Sequence, residues 1–132
     1  MAHFDPSAAA QPDSGIFGLV ASAAESAVHV LPVPFDATAS YRKGAWKGPD
    51  AILRASRQID LFDNVTGRPY EAGIHMLAAP REIAELAERA HEHAERVIEA
   101  GGDLSRDPRL AVDLESVNTI GARINELVAG AT

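Results

Sequence analysis

The sequence predicts an α/β protein on three observations. An apolar run at 27–33 is closed by prolines, a weaker one follows at 72–77, and helical periodicity fills the chain between and after them. Strand, helix, strand, helix, helix is the order expected of parallel strands, which need a crossover connection where an antiparallel pair needs only a tight turn.

Residues 1–26 are rich in Ala, Ser, Pro and Gly and read as an N-terminal arm preceding a domain over 27–132. Most of the arm has the composition of a tail. Its apolar patch at Ile16, Phe17, Leu19 and Val20 is costly to leave in water, so residues 15–20 are expected to dock on the body or on a neighbouring subunit.

In the first strand Val28, Val30, Leu31 and Val33 are nearly continuous, the pattern of a sheet covered on both faces. Pro32 and Pro34 end it because neither can donate to a ladder. A loop follows over 35–48. Pro49 suits the first position of a helix, where its missing N–H costs nothing, and Ile52, Leu53 and Ile59 give that helix an apolar side reaching about Ile59. Asn64 to Gly67 supply turn residues before the second strand. The clearest helix is 81–100, opened by Pro80, with Ile83, Leu86, Ala90, Ala94 and Val97 at three- and four-residue steps, and Gly101-Gly102 stops it. Asp107-Pro108 is a cap-and-start pair for a third helix lined by Val117, Ile120, Ile124, Leu127 and Val128.

Two strands are too few for a parallel sheet with helices on both faces. The expectation is that further strands come from polypeptide after Thr132 or from another subunit, or else that the chain is a loosely packed helical remainder.

With 132 residues the chain fits one modest domain. It has no cysteine, so disulfides and thiolate chemistry are excluded and any metal needs His and carboxylate ligands. Nineteen acidic against twelve basic residues give a net charge of −7, which opposes attraction to nucleic acid. Arg42, Lys43 and Lys47 form only a short basic cluster, and Tyr41 and Trp46 beside them make no repeated aromatic platform. No apolar run reaches bilayer length, and the start, with Asp5 and Asp13, does not read as a secretory signal. No membrane partner and a cytoplasmic location are the expectations.

Several short constellations invite chemistry that their spacing denies. His91-Glu92-His93 lacks the four-residue separation that puts two histidines on one helical face, so it reads as a solvated face with Glu85, Glu88 and Glu95. His75 and His29 read as a strand-end and a core histidine, respectively. Asp113-Leu114-Glu115 has no histidine partner nearby, and no Gly-x-Ser-x-Gly or assembled triad occurs.

The stretch Val28 to Asp63, VHVLPVPFDATASYRKGAWKGPDAILRASRQIDLFD, resembles the opening of the ureohydrolases, the family of agmatinases, guanidinobutyrases and arginases: a buried strand, a Pro-Val-Pro-Phe-Asp turn, a polar glycine loop and a Gly-Pro-started helix. Ser14-Gly15-Ile16-Phe17-Gly18-Leu19 resembles the arm of agmatinase-like members. Val117 to Val128 resembles the helix leading toward the first metal motif. The resemblance implies the N-terminal part of a three-layer α/β/α fold. It also implies a complete enzyme that uses two manganese ions to hydrolyse a small guanidino compound to urea and an amine, in polyamine metabolism and as a homo-oligomer.

The family's motifs Gly-Gly-Asp-His-Ser, Asp-Ala-His-x-Asp and Asp-x-Asp lie downstream of the matched region. Gly101-Gly102-Asp103-Leu104-Ser105 echoes the first of them, but Leu104 stands in the histidine place and cannot ligate a metal. Catalytic and metal-binding residues are therefore expected to be absent here, manganese to belong to the complete enzyme, and the isolated chain to be inactive. Its partner would be a C-terminal catalytic portion or a completing subunit. A noncatalytic partner of a ureohydrolase-type oligomer and a small helical interaction module are the alternatives.

By the resemblance, Asp36, Ser40, Tyr41 and Arg42 border the active-site mouth or a subunit contact, while Gly44, Gly48 and Pro49 shape the turn into the helix. A second reading stands beside it, in which Asp36 and Ser40 satisfy loop backbone groups and Arg42 pairs with a carboxylate. Trp46 reads as a packing or interface aromatic.

Overall fold

The computed structural model describes residue 5 and residues 8–131. The remaining residues of the arm and Thr132, on which parts of the arm and domain expectations fall, lie outside the described residues. Packing divides the chain into two interleaved units, one formed by the residues up to Pro32 with Pro49–Ala78, the other by Val33–Gly48 with the residues from Ala79 onward.

The first unit holds the sheet. Strand β1 (Val28–Val30) runs parallel to β2 (Ile74–Met76), pairing Val28 with Ile74, His29 with His75 and Val30 with Met76. The ladder is extended where Ala27 N donates to Ala72 O at 2.9 Å and Leu77 N to Val30 O at 2.9 Å. Helix α1 (Gly48–Ala55) supplies the crossover and tightens into a 3-10 turn at Ser56–Gln58.

The arm docks where its apolar patch predicts. Ile16 and Leu19 are buried, whereas Val20 is 69% exposed. Phe17 takes the left-handed conformation at φ 61°, and its N–H donates to Ser56 Oγ at 2.9 Å. The Arg57 guanidinium donates to Ser14 O at 3.0 Å. Gly73 is required at the edge of this contact: at φ +77° a Cβ there would stand 2.6 Å from Glu25 O.

Three expectations for this unit are corrected. The first strand is not covered on both faces, since Val28 is 48% exposed. Its sheet has only two strands among the described residues, so nothing in the ladder continues over it. The helix after Pro49 ends at Ala55, short of Ile59, which is extended, and its apolar side faces solvent at Ile52 and Ile59. His29 is an exposed residue in the middle of β1 rather than a core histidine, and His75 sits in the middle of β2 rather than at its end. Their ring N–H groups donate to Ala23 O and Ala21 O, both at 2.9 Å, so the two histidines hold the arm.

The second unit is a helical hairpin wrapped by a loop. Helix α2 (Arg81–Glu99) and α3 (Arg109–Ala131) follow the periodicity of the sequence. Glu82 at the start of α2 meets Arg123 late in α3 at 2.8 Å, and Arg96 near the end of α2 meets Asp113 early in α3, so the pair is antiparallel. Ile83, Leu86 and Ala90 of α2 pack with Ile120 and Ile124 of α3 and with Ala37 of the loop, flanked by Phe35, Leu127 and Val128. Ile83 is fully buried, which stabilises the unit by about 2 kcal/mol relative to an exposed side chain.

Gly101 and Gly102 both take positive φ, and their N–H groups donate to Ile98 O at 2.8 Å and Val97 O at 2.9 Å, satisfying carbonyls the helix leaves open. Asp103 then accepts from Ser105 N at 3.1 Å. The glycine pair is therefore a helix stop, as its position after an amphipathic run implies. Asp107 caps α3 by accepting from Arg109 N at 2.9 Å.

Candidate functional site

The loop between β1 and α1 is organised from within by Asp36. Its Oδ2 accepts from Gly44 N at 2.7 Å and more weakly from Trp46 N at 3.4 Å. The Gly44 hydrogen bond, which favours the charged form, holds the carboxyl below the usual carboxylate range. Gly44 delivers its N–H from a backbone at φ +131°, a conformation that side-chain-bearing residues rarely adopt. Gly48, by contrast, has a helical φ of −52°, and Pro49 follows it in the first turn of α1.

Two further anchors hold the loop on α2. Ala37 is buried in the helical core. Lys43 Nζ lies 2.6 Å from His91 Nε2 and 3.0 Å from Glu95 Oε1. Between these anchors Ser40, Tyr41 and Arg42 are exposed. Arg42 takes φ 52° and places its guanidinium carbon 5.7 Å from the Tyr41 ring centroid. Among the described residues Arg42 makes no ion pair. Trp46 is half exposed, with Lys47 Nζ 5.3 Å from its ring centroid.

Elsewhere in this unit the tertiary structure joins residues the sequence keeps apart. Asp113, expected to lack a histidine partner, accepts from His93 Nδ1 at 2.7 Å and from Arg96 Nε at 2.8 Å. The Arg96 hydrogen bond, with His93 second, pushes the Asp113 carboxyl far below its ordinary value. The His91-Glu92-His93 segment is accordingly not a simple solvated face: His91 meets the loop and His93 meets α3. A signal for the second contact was present in the sequence. Asp113 falls in the stripe Leu110, Asp113, Val117, Ile120, Ile124, where a carboxylate would be buried and so demands a cation.

None of these clusters fits a metal ion. Among the described residues no three His, Asp or Glu side chains are gathered to hold one. His93 and Asp113 come nearest, but both Asp113 oxygens already accept from the Arg96 guanidinium. A second cation there would face that charge at contact distance. His91 and Glu95 are likewise occupied by the Lys43 ammonium. The hollow lined by Arg96, Asp107, Arg109, Leu110, Val112 and Asp113 presents arginines already paired with carboxylates, Arg96 with Asp113 and Arg109 with Asp107 at 2.7 Å. No helix among the described residues is long and apolar enough to cross a membrane.

Comparison with known proteins places these elements in a family. Residues 26–106 match the sequence model described as the arginase family. The chain is 43% identical over 82 residues to an N(1)-aminopropylagmatine ureohydrolase of Thermus thermophilus, covering 58% of this chain and 28% of that protein. It is 43% identical over 61 residues to a protein of the same name from a Synechocystis species, covering 45% of this chain and 20% of that one. The chain thus spans less than a third of the length of the curated relatives it matches. No solved structure matches. The matched residues include the loop and both strands but neither Ser14–Leu19 nor Val117–Val128. Two parallel strands and three helices form part of an arginase-like α/β fold. Since the match takes in more than half of its residues, the chain belongs to the arginase family.

Proposed function

We propose that this chain is part of a ureohydrolase that hydrolyses a guanidino compound to urea and an amine. The observation that supports this is the family match over residues 26–106, which contains the ordered loop Phe35–Gly48 leaving the carboxyl end of β1. Ligands of parallel α/β sheets gather at such strand ends. The two relatives named above are called ureohydrolases of N(1)-aminopropylagmatine, so a guanidine carrying a polyamine chain is the first substrate to try.

A guanidinium is resonance-stabilised and a poor electrophile. In the complete enzyme a dinuclear manganese centre would supply hydroxide at neutral pH. The described residues of this chain do not fit that centre, so its ligands would come from other polypeptide of the same enzyme. What this chain contributes is the loop. Asp36 keeps it closed, and Ser40, Tyr41 and Arg42 are carried at its exposed tip. The exposed apolar side chains of the first unit, among them Val28, Ile52 and Phe62, are suited to be covered by that remaining polypeptide.

The test is urea release from N(1)-aminopropylagmatine, agmatine and guanidinobutyrate with manganese present. The 132-residue chain alone is expected to be inactive, and activity is expected when it is joined to a polypeptide carrying the family's metal motifs. Urea formed by the pure chain, or no activity from the joined protein when the metal is bound, would overturn the proposal.

A further inference from the structure

The loop is fastened to α2 by a contact whose chemistry depends on one proton. A lysine ammonium has three donors and no acceptor, so the 2.6 Å approach of Lys43 Nζ to His91 Nε2 requires that nitrogen to carry a lone pair. The proton of a neutral imidazole then sits on Nδ1. An imidazolium donates from both nitrogens and would set two cations against each other at hydrogen-bond distance.

We propose that His91 is a positioning residue of the loop, whose neutral imidazole accepts from Lys43 and so keeps Gly44 delivered to Asp36. The connection is short. Lys43 immediately precedes Gly44, whose N–H closes the loop on Asp36 at 2.7 Å from a backbone that few residues adopt. Fixing Lys43 on α2 therefore fixes the chain entering that strained position. Protonation of His91 removes the acceptor and repels Lys43, leaving Glu95 as its remaining tether. That pair is half exposed on both sides and weak by itself.

Among the described residues, the charged groups that bear on His91 include Lys43 and Asp36 from the loop and Glu95 one turn along α2. Asp36 does not change charge in the range where histidine does, because the Gly44 hydrogen bond holds its carboxyl below the ordinary carboxylate value. A loop transition that follows protonation of the imidazole is thus assigned to His91 and not to Asp36. The functional consequence, a substrate loop that loosens in acid, rests on the ureohydrolase reading; the conformational claim does not.

The experiment is amide hydrogen exchange of the 132-residue chain by NMR, expressed as protection factors, with the His91 ring proton followed in the same samples. The Gly44 protection factor is expected to fall about five- to ten-fold as His91 protonates, the loss of roughly one hydrogen bond. The amide of Ala90, buried in α2, should not change and reports that the fold is intact. In His91→Gln the amide oxygen accepts from Lys43 at every pH, so Gly44 should remain protected throughout. In Lys43→Ala it should be poorly protected throughout. A Gly44 protection factor that is flat while His91 titrates, or that titrates equally in His91→Gln, overturns the proposal. Neither result would bear on urea release, which tests the functional reading separately.

Discussion

Arg96 on α2 grips Asp113 on α3 with two nitrogens, Nε reaching Oδ2 at 2.8 Å and Nη2 reaching Oδ1, while His93 donates to Oδ1 from one turn earlier. Asp113 is buried and Arg96 is half exposed, so the carboxylate depends on its partners more than they depend on it. Removing Arg96 leaves a buried charge with one partner. Removing Asp113 leaves a guanidinium that water can reach. Arg96→Ala is therefore expected to lower the urea midpoint of unfolding more than Asp113→Ala does, and the double variant to resemble Asp113→Ala. Equal losses in all three would show that the bidentate geometry does not set the order.

Acid should remove the same contribution. Asp113 is depressed in the folded chain by Arg96 and His93, so its contribution to stability is fully present above the unfolded carboxylate value of about 3.9 and is lost as the pH falls through the lower folded value. The difference in unfolding free energy between the natural chain and Asp113→Asn should be constant from about pH 7 to pH 5 and shrink below about pH 4. A difference that already shrinks between about pH 7 and pH 5 would show that the Asp113 carboxyl does not set it.

The two loop glycines should both resist alanine, for different reasons. Gly44 has open space for a Cβ but sits at φ +131°, so Gly44→Ala is expected to cost about 1–3 kcal/mol of strain or to break the Asp36 contact, seen as loss of protection at residue 44. Gly48 is helical immediately before Pro49, where an added Cβ meets the proline ring, so Gly48→Ala is expected to destabilise by about 1 kcal/mol or less. Denaturant unfolding of both variants decides it. A stabilised Gly48→Ala would show that the Pro49 ring does not crowd a Cβ there.

In the helical core, Ile83→Ala removes a fully buried side chain packed between α2, α3 and Ala37, and is expected to cost about 3 kcal/mol. Ile52→Ala, on the exposed side of α1, should change the stability of the chain by less than about 0.5 kcal/mol. If Ile52→Ala instead costs as much as Ile83→Ala, the apolar side of α1 is already covered in solution, and light scattering would identify self-association as the cause.

The sequence by itself determined the order and type of the elements and the stops between them. Periodicity places α2 to within a residue and gives the apolar side of α3, Gly101-Gly102 ends the first and Asp107-Pro108 starts the second, and the Val28–Asp63 stretch carries the family resemblance, because propensity, caps and turn chemistry act over a few residues. Tertiary structure decided whatever depends on distant partners. His93 and Asp113 are 20 residues apart and Lys43 and His91 are 48 apart, so their hydrogen bonds exist only once the hairpin and loop have closed. The same holds for Phe17, whose left-handed turn is fixed on Ser56, and for Val28, whose apolar pattern anticipates a cover that a two-stranded sheet does not provide. Burial is a property of what packs against a residue, and a local pattern states only the need for it.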